Sequence, residues 1–80
     1  MANANGRVVQ ILGGVVDVEF PNGDVPQLFE AISVPRADKA PLILEVQKHL
    51  GDNWVRTVAM DSTDGLQRGV PAQSTGSPIT

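Results

Sequence analysis

The sequence predicts a small all-β domain whose strands close into a barrel. Three observations carry this. Short runs rich in β-formers are separated by Gly, Pro, Asn and Asp, the punctuation of a sandwich or barrel. No segment shows convincing helical spacing. At 80 residues there is room for one domain only, burying roughly 60% of its unfolded surface. An open sheet of that size would leave edge strands free to aggregate, and closing it into a barrel removes them.

Each run has its own signature. Arg7-Val8-Val9-Gln10-Ile11-Leu12 is the first strand, ended by Gly13-Gly14. Val15 to Phe20 is the second, with Val16, Val18 and Phe20 on one face and Asp17 and Glu19 on the other, the clearest alternation in the chain. Pro21-Asn22-Gly23-Asp24 supplies a turn, because Asn and Gly tolerate positive φ. A third run spans Leu28 to Val34; its parity is ambiguous, and Glu30 favours placing Phe29 inward. After the polar loop Pro35 to Pro41, Leu42 to Leu50 forms the fourth run, with Leu42, Leu44 and Val46 facing together and Ile43, Glu45, Gln47 and His49 facing away. Gly51-Asp52-Asn53 turns it into a hairpin with Trp54 to Met60, rich in β-branched residues. The tail from Asp61 to Thr80 reads as loop-rich, and Met1 to Asn5 as a disordered lead-in, leaving residues 6–80 as the barrel domain.

Composition narrows the function classes. Six basic and nine acidic residues give a net charge of -3, and no stretch gathers Lys and Arg into the patch that phosphate contacts require, which argues against a nucleic-acid partner. Phe20, Phe29 and Trp54 are the whole aromatic content, too sparse for a base-stacking platform. No apolar run approaches the roughly 18 residues that span a bilayer, so no direct membrane contact is expected. Without cysteine the chain forms no disulfide, which fits a reducing compartment.

The candidate chemical motifs favour structural roles. Gly13-Gly14 runs into Val15-Val16 rather than into a helix and Lys-Ser/Thr, so a glycine kink or bulge between strands is expected rather than a phosphate cradle. Asp61-Ser62-Thr63-Asp64-Gly65 lacks the alternating ligands and terminal Glu of a calcium loop; an Asx-type turn with Gly65 left-handed is expected. His49 is the only histidine, so a zinc site or a His-dependent triad has no second member. Asp17 and Glu19 are read as a solvated exterior rather than an acid/base pair. Trp54 suits an interface anchor or a cover for one barrel end.

Two stretches are distinctive as sequence. Gly6-Arg7-Val8-Val9-Gln10-Ile11-Leu12-Gly13-Gly14-Val15-Val16-Asp17-Val18-Glu19-Phe20 resembles the opening hairpin of F-type ATP synthase beta subunits. The run His49-Leu50-Gly51, Val55-Arg56-Thr57-Val58-Ala59-Met60-Asp61, Thr63-Asp64-Gly65-Leu66 and Arg68-Gly69 resembles the same family more strongly. Trp54, where the family usually has a small polar residue, and Pro71 to Thr75, where the family is more apolar, depart from it.

The resemblance implies the six-stranded antiparallel amino-terminal barrel of a beta subunit of a proton-translocating, ATP-synthesising complex. In the family this barrel precedes a nucleotide-binding domain and a helical domain. The family's phosphate-binding loop, catalytic glutamate and magnesium-binding residues lie after the barrel, so no catalytic, cofactor-binding or metal-binding residue carries onto this sequence. ATP, ADP and Mg belong to the parent enzyme. The implied role is an assembly crown: barrels of alternating alpha and beta subunits hold a hexameric ring together on the cytoplasmic face of a bacterial inner membrane, as a peripheral part of the complex. The isolated chain is expected to be a monomer or weak oligomer. The alternative is a free-standing, OB-like barrel that binds an oligonucleotide or oligosaccharide.

Overall fold

The computed structural model describes residues 5–37 and 39–78, and within them every regular element is a strand. The strands are β1 (Asn5–Leu12), β2 (Val15–Glu19), β3 (Glu30–Val34), β4 (Leu42–Gly51), β5 (Trp54–Ala59) and β6 (Pro71–Pro78). All neighbours pair antiparallel, in the order β1-β2-β5-β4-β3-β6, and β6 returns to β1 to close the barrel. The expected closed six-stranded antiparallel barrel is the observed fold.

Alternation builds the interior. Val16, Val18 and Phe20 point inward with Val8, Ile32, Val34, Leu42, Leu44, Val46, Val55 and Ala72, each at most 1% exposed. Burying a side chain of valine, leucine, isoleucine or phenylalanine contributes roughly 1.5–3 kcal/mol, so this compact core is the main stabilising term. Thr57 also faces inward, and its Oγ1 donates to the Val16 carbonyl at 2.7 Å, which satisfies the one polar group that β5 carries into the core. Register shifts place one extra residue in β1, at Val8/Gln10, and two in β4, at Val46/Lys48 and His49/Gly51. Such bulges raise the local twist and bend that closing a narrow barrel needs.

The turns follow their residues. Leu12 pairs with Val15 across Gly13-Gly14, and only Gly13 of that pair has positive φ, at 59°. This is the type II′ pattern rather than a bulge. At the β4–β5 hairpin Asp52 and Asn53 both have positive φ, 54° and 67°, the type I′ pattern, which short Asp and Asn side chains tolerate. The Pro21–Asp24 turn is present, closed by a 2.9 Å bond from Gly23 N to the Phe20 carbonyl.

Several expectations are corrected. Asn5, assigned to the lead-in, opens β1 opposite Gln73; the rest of that lead-in lies outside the described residues. Phe29, expected inward in a strand from Leu28, precedes β3 and is 57% exposed with φ 67°. Its amide donates to the Val46 carbonyl at 2.7 Å, so the backbone reverses before the ladder with β4 begins and strand parity starts only at Glu30. Part of the loop-rich tail is β6, whose inward residues Ala72 and Ser74 are too small to give a hydrophobic alternation.

Candidate functional site

The two carboxylates of β2 lie in different environments. Asp17 points away from the core, yet its side chain is only 3% exposed because Arg56, directly opposite on β5, covers it. Arg56 Nε and Nη2 donate to Asp17 Oδ1 and Oδ2 at 3.0 and 3.1 Å, a bidentate geometry. The hydrogen bonds and charge of Asp17 push the Arg56 pKa above its ordinary value. The expected solvated exterior fails for the buried Asp17, and Glu19 is itself only partly exposed, pairing with the exposed Arg7 at 2.9 Å. The two acids bracket an inward valine and each has its own arginine, an arrangement that clamps strands together.

The remaining candidates take structural places. Ser62 N donates to Asp61 Oδ1 at 2.7 Å and Gly65 has φ 83°, so an Asp-capped turn with a left-handed glycine is present as expected, but the bond two residues on, Asp64 N to Ser62 Oγ at 3.1 Å, is accepted by the serine hydroxyl, which makes it a Ser turn rather than an Asx turn. Thr63 Oγ1 donates to the Gly13 carbonyl at 2.8 Å, and Ala59 N donates to the Gly14 carbonyl, so this loop is anchored on the β1–β2 turn. Among the described residues no cluster of three or more His, Asp or Glu is placed to hold a metal ion. His49 is exposed, and its Nε2 lies 2.7 Å from the Pro26 carbonyl. A carbonyl only accepts, so that nitrogen carries the proton and ties the 25–29 loop to β4. Trp54 is half-buried on the β4–β5 hairpin, opposite Glu19.

A cleft of about 300 Å³ opens at one barrel end between Pro35, Arg36, Ala37 and Lys39 on one side and the 64–67 segment with Val70 on the other. Arg36 folds back along its own loop, donating from Nε to the Ala40 carbonyl at 2.9 Å, while its Nη2 stands 3.8 Å from Asp61. The guanidinium shapes the loop rather than lying open to solvent.

The outer wall of the barrel carries a feature that the linear pattern hides. Leu12 pairs with Val15, Val15 with Val58, and Met60 donates its amide to the Ile43 carbonyl. The ladder thus collects five apolar side chains from β1, β2, β4, β5 and the residue after β5 into one strip; Leu12, Val58 and Met60 are 59%, 38% and 48% exposed. Grouping of exposed apolar side chains on one wall makes this strip the candidate surface of the barrel. Each residue reads singly as an unremarkable strand position, so only the register discloses the strip.

Residues 8–76 match the model of the ATP synthase alpha/beta family, beta-barrel domain.

Proposed function

Because the chain belongs to the ATP synthase alpha/beta family, we propose that it is the barrel module of a beta-type subunit and that its work is to hold neighbouring alpha-type barrels in the ring. The observation that carries this reading is the Leu12–Val15–Val58–Ile43–Met60 strip on a barrel whose ladder is closed. With no free strand edge for another chain to extend, partners must be held through side chains on the outer wall. The motif from Arg56 to Gly69 supports the beta assignment, and its Asp61–Gly65 turn is pinned to the hairpin that bears Leu12 and Val15.

In this reading the module contributes assembly rather than chemistry to a proton-translocating complex peripheral to a bacterial inner membrane. Its ion pairs and turns are spent on strand geometry, and nucleotide and magnesium are bound by other parts of the subunit. Sedimentation of the chain mixed with an ATP synthase alpha subunit tests it: the two are expected to co-migrate, and independent sedimentation at high micromolar concentration would refute the assembly role. Calorimetric titration with millimolar Mg-ATP is expected to show no saturable heat.

A further inference from the structure

A glycine that follows aspartate or asparagine opens a route to spontaneous rearrangement of the backbone. With no Cβ on the second residue, its amide nitrogen can reach the Cγ of the first. Three such steps stand in this sequence: Asn5–Gly6, Asn22–Gly23 and Asp64–Gly65. In an unfolded chain the two asparagine steps react faster, because an ionised carboxylate resists attack by a nucleophile. The fold treats the three steps differently.

Ring closure needs a side chain free to swing, a nitrogen free to attack, and room for a five-membered ring. At Asn22 the side chain is exposed but the nitrogen is engaged, since Gly23 N donates to the Phe20 carbonyl at 2.9 Å. At Asn5 the step lies in the β1–β6 ladder, and Asn5 Oδ1 accepts from Gln73 Nε2 at 3.4 Å. Gly6 is also crowded, for a Cβ there would stand 2.6 Å from the Glu19 carbonyl oxygen. Asp64 meets none of these obstacles. Among the described residues its exposed carboxylate has no hydrogen bond or ion pair, and Gly65 N donates to no acceptor. Nothing lies within 4 Å of the position a Gly65 Cβ would take. The neighbouring bonds, Asp64 N to Ser62 Oγ at 3.1 Å and Leu66 N to the Thr63 carbonyl at 2.9 Å, hold the ends of the turn and leave the Asp64–Gly65 peptide between them unpinned.

We infer that Asp64–Gly65 is a site of spontaneous succinimide formation in the folded chain, and that Asn5 and Asn22 are shielded from the same reaction. The Gly65 nitrogen attacks Cγ of the protonated Asp64 carboxyl. The N–Cγ bond forms, the Cγ–OH bond breaks, and the amide proton leaves with the hydroxyl as water. One water then opens the ring at either carbonyl and returns aspartate or gives isoaspartate, in which the main chain runs through Cγ. Water is the only co-reactant, and the isomer has the mass of the parent. It adds one backbone carbon to a loop that Thr63 Oγ1 anchors on the Gly13 carbonyl, so the product alters the β5–β6 connection where it rests on the β1–β2 turn.

Parallel incubations of the whole chain, folded and unfolded in guanidinium chloride, in warm and mildly acidic buffer test this. Tryptic peptides are read by mass, which reports loss of asparagine, and by electron-transfer fragmentation, which separates isoaspartate from aspartate. Protection at each step is its unfolded rate divided by its folded rate. Protection at Asn22 and at Asn5 is expected to exceed that at Asp64 by about fivefold or more, the factor carried by one backbone hydrogen bond. Protection at Asp64 equal to or above that at Asn22 would overturn the inference. So would a folded chain that forms no isoaspartate at position 64 while the unfolded chain does. Asp64→Glu, which would need a six-membered ring, should remove the product from the 57–68 peptide. Isoaspartate persisting there would assign the reaction to Asp61 and refute the site.

Discussion

One added methyl group at Gly6 should loosen the barrel at its seam. A Cβ built on Gly6 would stand 2.6 Å from the Glu19 carbonyl oxygen and 2.9 Å and 3.0 Å from two carbons of the Phe20 ring. Neither neighbour can retreat cheaply: the carbonyl is backbone of β2, and the Phe20 ring is fully buried. Overpacking of this kind costs about 1–3 kcal/mol, while exchanging glycine for alanine at a permitted φ returns roughly 0.4–1 kcal/mol through the unfolded chain. The net expectation for Gly6→Ala is a loss of about 1–2 kcal/mol, which for a domain of this size lowers Tm by roughly 5–15 °C. Gly14→Ala is the control, since a Cβ there meets nothing within 4 Å and its φ is not left-handed; its stability should stay within about 0.5 kcal/mol of wild type. Thermal and urea unfolding followed by circular dichroism measure both. If Gly6→Ala unfolds with the same midpoint as Gly14→Ala, the steric reasoning is wrong.

Three further outcomes are expected. Phe29→Gly relieves the left-handed strain and loses little burial, so after roughly 0.5–1 kcal/mol of glycine entropy its stability should match or exceed wild type; a clear loss in urea unfolding would mean that the ring packs more tightly than its exposure indicates. Arg56→Leu strands the buried Asp17 carboxylate and should destabilise more than the double replacement Asp17→Leu/Arg56→Leu, a non-additivity that a double-mutant cycle in urea reads directly. Because the Arg56 pKa is raised above its ordinary value by Asp17, its contribution is fully present below the unfolded pKa and is lost only as pH climbs through the higher folded one. The gap between wild type and Arg56→Leu should therefore hold constant from neutral to mildly alkaline pH, and a gap that closes there would contradict the assignment. Thr57→Val removes the donor to the Val16 carbonyl and should cost about 1 kcal/mol with an unchanged m-value in urea unfolding.

What was legible in the sequence was whatever depends on neighbours along the chain. The inward faces of β2 and β4 follow from strict alternation at Val16, Val18 and Phe20 and at Leu42, Leu44 and Val46. The Asp61–Gly65 turn follows from side chains that bond their own backbone. The inner face of β6 was hidden because Ala72 and Ser74 leave no apolar rhythm, and Phe29 was misplaced because a left-handed residue breaks the parity that its neighbours suggest. Asp17 read as solvated because its partner lies 39 residues away and is brought opposite only by the β2–β5 register. The candidate surface was illegible for the same reason: Leu12, Val58 and Met60 become neighbours only once the strand order is known.

That strand order also sets a timetable for making the protein. The seam joins Asn5 to Gln73, residues 68 apart in the chain. At a synthesis rate of about 5–20 residues per second, the start of β1 waits roughly 3–14 s on the ribosome before its partner in β6 has been made. The β1–β2 and β4–β5 hairpins can form as they emerge, but the outer margins of β1 and β3 stay unpaired until β6 enters between them. During that interval the nascent chain carries two open edges that the finished barrel does not have, so its exposure to misassembly belongs to translation rather than to the folded state.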